Sequence, residues 1–437
     1  MTILPQDYLR TLGAVRDRCY KVYEQGKKGQ LVYFDIDESK LGAVVDQVEE
    51  VTRRRFGSDL TKIPPHSRLN HFGGDRLSNL QHQWQQQQQT NPDSLNDLER
   101  TRRFIDLVMV SVLVDAGAGQ TWAYTTRQGE RVGRSEGLAI ASLDMFLDGV
   151  FSSDPTVKDR VDAQGLKQLS VERIAQGFQV SASNPMAGID GRSNLLKSLA
   201  DVMEQQSEYF EHNGTHRPGN LVDYLLSKTT KDSKTIKVED IWQVVMSLAS
   251  MWPARVTIEG VPLGDVWPCT CLENKDGQQY DNLVPFHKLS QWLTYSLIDA
   301  LQQSPLDVKV EGMEVMTGLP EYRNGGVLVD HGLLTLKPEH LKRGLDYARA
   351  ELGDENASDD IEPLFDGSDP LIVEWRALTV VYLDHVHRAL EKSMNQSLSL
   401  TQVLEAGTWT AGREIAAKLR PVTGGPPIAI KSDGTIF

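Results

Sequence analysis

Cysteine is scarce: Cys19, Cys269 and Cys271 are the three in 437 residues, too few for a disulfide framework. The Cys269-Thr270-Cys271 spacing lacks the second pair that a zinc site needs, and a reducing cytoplasm is the expected compartment. Long apolar runs are also missing. No stretch reaches about 18 apolar residues, and the opening MTILPQDYLR has no basic segment followed by an apolar one, so neither a membrane span nor an export signal is expected. Basic residues are in the minority, with 46 Lys+Arg against 60 Asp+Glu and a net charge of −14. That balance opposes a polyanion, so the expected partner is a small molecule rather than nucleic acid. No HExxH occurs, and His385 and His387 at i and i+2 would point to different helix faces. Neither a metal nor a cofactor is expected.

What is present is enough apolar sequence, 40%, to bury a large core. The length points to two lobes or one elaborate domain. We expect a helical N-terminal region over 1–100 with a glutamine-rich insertion, and a main helical domain over 101–437 carrying the site. Apolar residues at helical spacing predict helices over 5–24, 38–54, 171–178, 192–212, 221–226, 238–251 and 285–303. The segment 102–114 is apolar almost all round and reads as a central buried helix. At 133–147 a helix is expected with Ser135 as N-cap and Glu136 against the positive end of its dipole. Strand-like alternation is brief, at 31–37, 255–261 and 307–310. WQQQQQ and the following Asn91-Pro92 read as an exposed insertion. The fold class is therefore mainly α, with short strands in loops.

Five stretches carry candidate chemistry. In TGLPEYRNGGVLVD, over 317–330, Glu321, Tyr322 and Arg323 lie between Pro320 and Asn324-Gly325-Gly326, which reads as a turn. A carboxylate beside a cation at a core edge suits an acid, base or nucleophile held in one protonation state, and equally a structural Glu–Arg pair. The 64–76 loop gathers His66, Arg68, His71 and Arg76, a set fit for an anionic group or for solvent. Asp115 and Trp122 flank Gly117-Ala118-Gly119, where small residues allow close backbone approach. Lys288, Gln291, Trp292 and Tyr295 fall at i, i+3, i+4 and i+7, a stripe suited to stacking a planar ligand or to a plain amphipathic border. Finally, Asp369 as N-cap and Pro370 open an apolar helix interrupted by Glu374 and Arg376, which need partners; Arg323 and Glu321 are two candidates.

Taken together, VDAGAGQTWAY, GRSEGLAIASLDMF, PFHKLSQWLTYSL, GLPEYRNGGVLVD, DPLIVEWRALTV and GGPPIAIKSDGTIF resemble blocks of the uracil-catabolism protein family of fungi and bacteria, the fourth protein of their Urc pathway. Leu69-Asn70, where that family is expected to carry bulky or charged residues, and the glutamine tract depart from it. The resemblance implies a place in a route that makes the nucleotide of uracil, opens the ring and releases urea, with separation of urea from ribose as the natural step. The order of the glycine-led helix, the lysine-bearing aromatic helix, the acidic-Tyr-Arg turn and the Glu-x-Arg helix is also similar to queuosine-salvage nucleosidases. That second likeness implies a DNA-glycosylase-like helical core, with Glu321 standing where an aspartate would, and Lys288, Glu374 and Arg376 at matching positions.

N-glycosidic cleavage needs a carboxylate to stabilise or attack a cationic ribosyl group, and a donor to the departing nitrogen. The resemblance implies Glu321 in the first role, with Glu374 or Asp115 as acid or water-activating base. Trp292, Trp122 and Tyr322 would wall the pocket, Arg323, Lys288, His66 or Arg68 would bind a 5′-phosphate, and Arg376 and Glu136 complete the ligand contacts. Two other readings stay open: a metal-dependent amidohydrolase acting on the ureido group, and a non-catalytic binding or regulatory protein.

Overall fold

Helices dominate because apolar residues at helical spacing are bracketed by effective caps. Asp369 accepts a hydrogen bond from Leu371 N at 2.9 Å, Pro370 takes the first turn, and Asn395 at φ 50° closes the 25-residue helix Pro370–Met394. Asn96 similarly caps Asp97–Leu113 through Glu99 N. The computed structural model describes residues 3–90, 95–119, 121–229, 233–252, 255–272, 280–353 and 361–431. Asn91-Pro92, Gln120 and the C-terminal SDGTIF lie outside the described residues. The protein is mainly α, and the described strands are two or three residues long and form two-stranded pairs.

The chain divides into two units interleaved in sequence. The first comprises 1–66, 254–291 and 314–437. At its centre Pro370–Met394, buried nearly all round to Asp384, packs against Leu12–Lys27, Leu41–Phe56 and Tyr322–Asp330, with Trp409–Leu419 beyond. Phe34–Ile36 pairs antiparallel with Leu334–Leu336, and Val266–Pro268 with Leu283–Pro285. The expected 5–24 helix is two: Pro5–Leu9, then Leu12–Lys27 restarted by the Thr11 cap.

The second unit comprises 67–253 and 292–313, organised on Asp97–Leu113. The second half of that helix is apolar as expected. Its middle carries a charge network in which fully buried Asp106 accepts from Arg217 Nη2 at 2.7 Å, Gly219 N at 2.7 Å and Val161 N at 3.1 Å. One expectation is refined here and one corrected. The glutamine tract is a helix, Arg76–Thr90, anchored by Leu80 and by Trp84, whose Nε1 donates to Asp159 at 2.6 Å. A tryptophan at helical spacing in a polar run is what ties it down. The 134–147 helix takes Gly133, not Ser135, as N-cap, and no side chain caps it. Gly137 is required there because a Cβ would stand 2.3 Å from the Val132 carbonyl oxygen.

Candidate functional site

In the first unit the site is built around Glu321. Asn324-Gly325-Gly326 is not a turn but the opening of the helix Tyr322–Asp330, and Glu321 is its N-cap. Its Oε2 accepts from Arg323 N at 2.8 Å and its Oε1 from Asn324 N at 2.5 Å. The glycines serve packing: a Cβ on Gly325 would meet Trp375 and Thr379 of the long helix at 2.8 Å. Upstream, Gln291 clamps the approach, donating to Thr317 Oγ1 at 2.9 Å and accepting from Thr317 N at 3.0 Å. Downstream, buried Asn324 donates to the Leu319 carbonyl and accepts from Thr408 Oγ1 on the wide helical turn Leu404–Thr408. Glu321 is thus fixed from both sides at 9% exposure. Burial pushes its carboxyl above the usual range, against the Arg323 and Asn324 N–H groups and the charges of Lys288 and Arg323. Arg323 donates to the Gly424 carbonyl at 3.0 Å and lies 5.1 Å over the ring of Tyr322, which is 37% exposed.

Glu374 and Arg376 do not pair with Arg323 and Glu321. The Arg376 guanidinium forms a two-pronged bridge to Asp265 at 2.8 and 2.7 Å and lies 4.1 Å over Phe286. Glu374 accepts from Val32 N, Tyr33 N and Phe34 N at 2.9–3.0 Å, so both oxygens hold the strand that begins at Phe34. That engagement replaces an acid's role with an anchor's. Glu374→Gln turns an amide donor toward at least one of those N–H groups, and we expect a loss of about 1–3 kcal/mol in denaturant unfolding. A variant as stable as the wild type would show that this strand does not need the carboxylate. His66 Nδ1 meets Glu405 Oε2 at 2.7 Å, a short local pair within the same unit.

The second unit holds the other candidates. Arg68, 0% exposed, bonds Asp115 Oδ2 at 2.9 Å, Ser111 Oγ at 2.9 Å and the Ser135 carbonyl at 3.1 Å. Burial draws its guanidinium below the usual range, opposed by Asp115 and then by Glu136, which sits half-buried on the first turn of its helix. Arg68 Nη1 also reaches His71 Nδ1 at 3.2 Å. Guanidinium only donates, so Nδ1 accepts and the ring hydrogen is on Nε2. The His71 ring lies 5.7 Å from that of Trp292, tilted by 38°. The Asp115 loop is gripped by Arg192, which donates to the carbonyls of Val114, Ala116 and Gly117. Trp122, by contrast, is 2% exposed with its indole N–H on the Phe178 carbonyl, and its place is in the packing rather than a pocket wall.

His385 and His387 do not converge. His385 lies among Tyr20, Tyr23 and Tyr382, while His387 Nε2 meets the Leu398 carbonyl. Among the described residues no group of three or more His, Cys, Asp or Glu is placed to hold a metal, and no helix is long and apolar enough to cross a membrane. Asp265 is the residue that sequence reading missed. Its signal was Arg376, a cation in an apolar helix that had to have a carboxylate partner.

These features define a mainly helical protein with a buried carboxylate capping a helix next to two cations. The chain belongs to the family described as "Protein of unknown function (DUF1688)", matched over residues 8–437. It is 41% identical to "Uracil catabolism protein 4" of Lachancea kluyveri over 446 residues, covering 99% of each chain. It is also 41% identical to "Protein urg3" of Schizosaccharomyces pombe, covering 98% of each. The family expected from the motif blocks is the family found.

Proposed function

We propose that the protein acts in uracil catabolism as an N-ribosyl hydrolase, releasing urea from ribosylurea or its 5′-phosphate. The observation that carries this reading is Glu321: a buried carboxylate, rigidly held, with Lys288 and Arg323 opposing the effect of its burial. The full-length likeness to a protein named for uracil catabolism supports the pathway. In the reaction, the bond from the anomeric carbon to the urea nitrogen breaks, water oxygen bonds to that carbon, and the proton water loses ends on urea. As the bond breaks the ribose becomes cationic, and ionised Glu321 stabilises it electrostatically. With each oxygen already accepting a backbone N–H, Glu321 is better suited to that role than to covalent attack.

Incubating the protein with ribosylurea and with its 5′-phosphate, and assaying free urea, tests the reading directly. Release from either supports it, and release from neither by folded protein removes it. Arg323 separates the two substrates. If the phosphate is bound there, Arg323→Met raises KM for the phosphorylated compound by roughly 10-fold or more over its effect on the free riboside, the equivalent of a charge-assisted bond of about 1.5–3 kcal/mol. Equal changes in both would confine Arg323 to supporting Tyr322 and the Gly424 carbonyl.

A further inference from the structure

We propose that Asp265 is a positioning residue: gripped by Arg376, it fixes the backbone at Lys288 and so sets where the Lys288 ammonium stands relative to Glu321. Asp265 lies just before the strand Val266–Pro268, and each of its acceptors is committed. Besides the two Arg376 bonds, Oδ1 accepts from Trp267 Nε1 at 2.6 Å and Oδ2 from Lys288 N at 3.0 Å, while its backbone carbonyl accepts from Phe286 N at 2.9 Å. Lys288 is the first residue of the helix Lys288–Gln303. The residue before it, His287, holds the left-handed region at φ 48°, which a side chain rarely adopts. Its buried ring donates from Nε2 to the Leu9 carbonyl at 2.9 Å. A strained residue persists where its neighbours over-determine it, and here Asp265 takes the N–H on one side of His287 and the N–H on the other. The outcome is a lysine whose starting point does not drift.

Burial would lift the Asp265 carboxyl, but the Arg376 guanidinium and the donors around it hold it well below the carboxylate range. Asp265 is therefore a permanent anion and a permanent acceptor at working pH. Among the described residues, the charged groups that act on Glu321 are Lys288 and, on its own helix, Arg323. The long helix presents Trp375 and Thr379 to Gly325, the wide turn presents Thr408 to Asn324, and the Trp409–Leu419 helix presents Gly412 to the Arg323 backbone, none of them charged. Lys288 is thus the cation from a separate element that, after the Arg323 and Asn324 N–H groups, opposes the effect of burial on Glu321.

The inference rests on the reading that ionised Glu321 does the chemistry, but its test requires no turnover. The Glu321 carboxyl is followed by 13C NMR across pH, its resonance assigned by its loss in Glu321→Gln. In Asp265→Ala/Arg376→Met, which removes the pair as a neutral unit and leaves no buried charge behind, Glu321 should titrate at higher pH than in the wild type, in the direction given by Lys288→Met. The direct fields of the two lost charges oppose each other and leave little net change, so an upward shift that follows Lys288→Met reports the lysine. Asp265→Glu keeps a carboxylate for Arg376 to pair with but moves both oxygens by a methylene, off Lys288 N and Trp267 Nε1 alike, and a smaller upward shift is expected. An unchanged or lowered titration in variants that melt like the wild type overturns the proposal. An upward shift in a protein that releases no urea sustains it and discards the hydrolase reading alone.

Discussion

On the proposed N-ribosyl hydrolase reading, Glu321→Gln is expected to reduce urea release by on the order of 100-fold or more, because the amide cannot stabilise a cationic ribosyl group. The same substitution damages the fold locally. An amide has one acceptor where the carboxylate has two, and Arg323 N and Asn324 N both depend on that side chain. Losing a cap costs about 0.5–2 kcal/mol, so a rate measured on Glu321→Gln alone mixes chemistry with stability. Glu321→Asp separates them. Aspartate is among the preferred caps and keeps the charge, so the Tyr322–Asp330 helix and the melting temperature should be retained. The shorter arm withdraws the oxygens from their present positions, and turnover should still fall steeply. A stable, fully active Glu321→Asp would show that the carboxylate's task is the cap. The pH profile gives a second check. Since burial raises the folded-state pKa of Glu321, the ionised form is lost as pH falls through a value above that of an ordinary glutamate. An acid limb at or below the ordinary glutamate value would point to a different group.

The helical class, the Asp369-Pro370 start and the buried helix read at 102–114 were legible because each depends on residues close in sequence. The Glu321 segment was found for a partly mistaken reason. Asn-Gly-Gly reads as a turn locally, and only packing against Trp375 shows why glycine is needed inside a helix. Partners of buried charges were the least legible. Arg376 and Asp265 are 111 residues apart, and nothing local distinguishes Asp265 from Glu321 as the mate of Arg376. The Glu374 carboxylate likewise meets backbone N–H groups more than 340 residues away, at Val32 and Tyr33, which no side-chain pattern announces. Nor could a linear reading separate units that each draw on distant segments of the chain. The stripe from Lys288 to Tyr295 illustrates the limit: periodicity found it, but Gln291 proved to be a clamp on Thr317 and Trp292 a neighbour of His71.

Arg68 provides the second large effect, since the structure makes it a support for other polar groups before any ligand is considered. Its guanidinium is wholly buried and simultaneously holds Asp115, Ser111, the Ser135 carbonyl and His71. Arg68→Met leaves Asp115, itself only 10% exposed at the side chain, without this cation, and breaking such a pair typically costs about 3–5 kcal/mol. We expect unfolding in urea to shift by that amount. Arg68→Met/Asp115→Leu should recover most of it, because removing both charges avoids the stranded one. Arg68→Lys should recover less, since a point charge can reach Asp115 but cannot reproduce the fork that also serves Ser111 and Ser135. Hydrogen exchange at the Ser111 and Ser135 ends of their helices would report the same loosening locally. If Arg68 instead serves chiefly to bind a phosphate, Arg68→Met should unfold like the wild type and lose affinity for the phosphorylated riboside alone. A buried arginine already committed to a carboxylate, a hydroxyl, a carbonyl and an imidazole favours the first outcome.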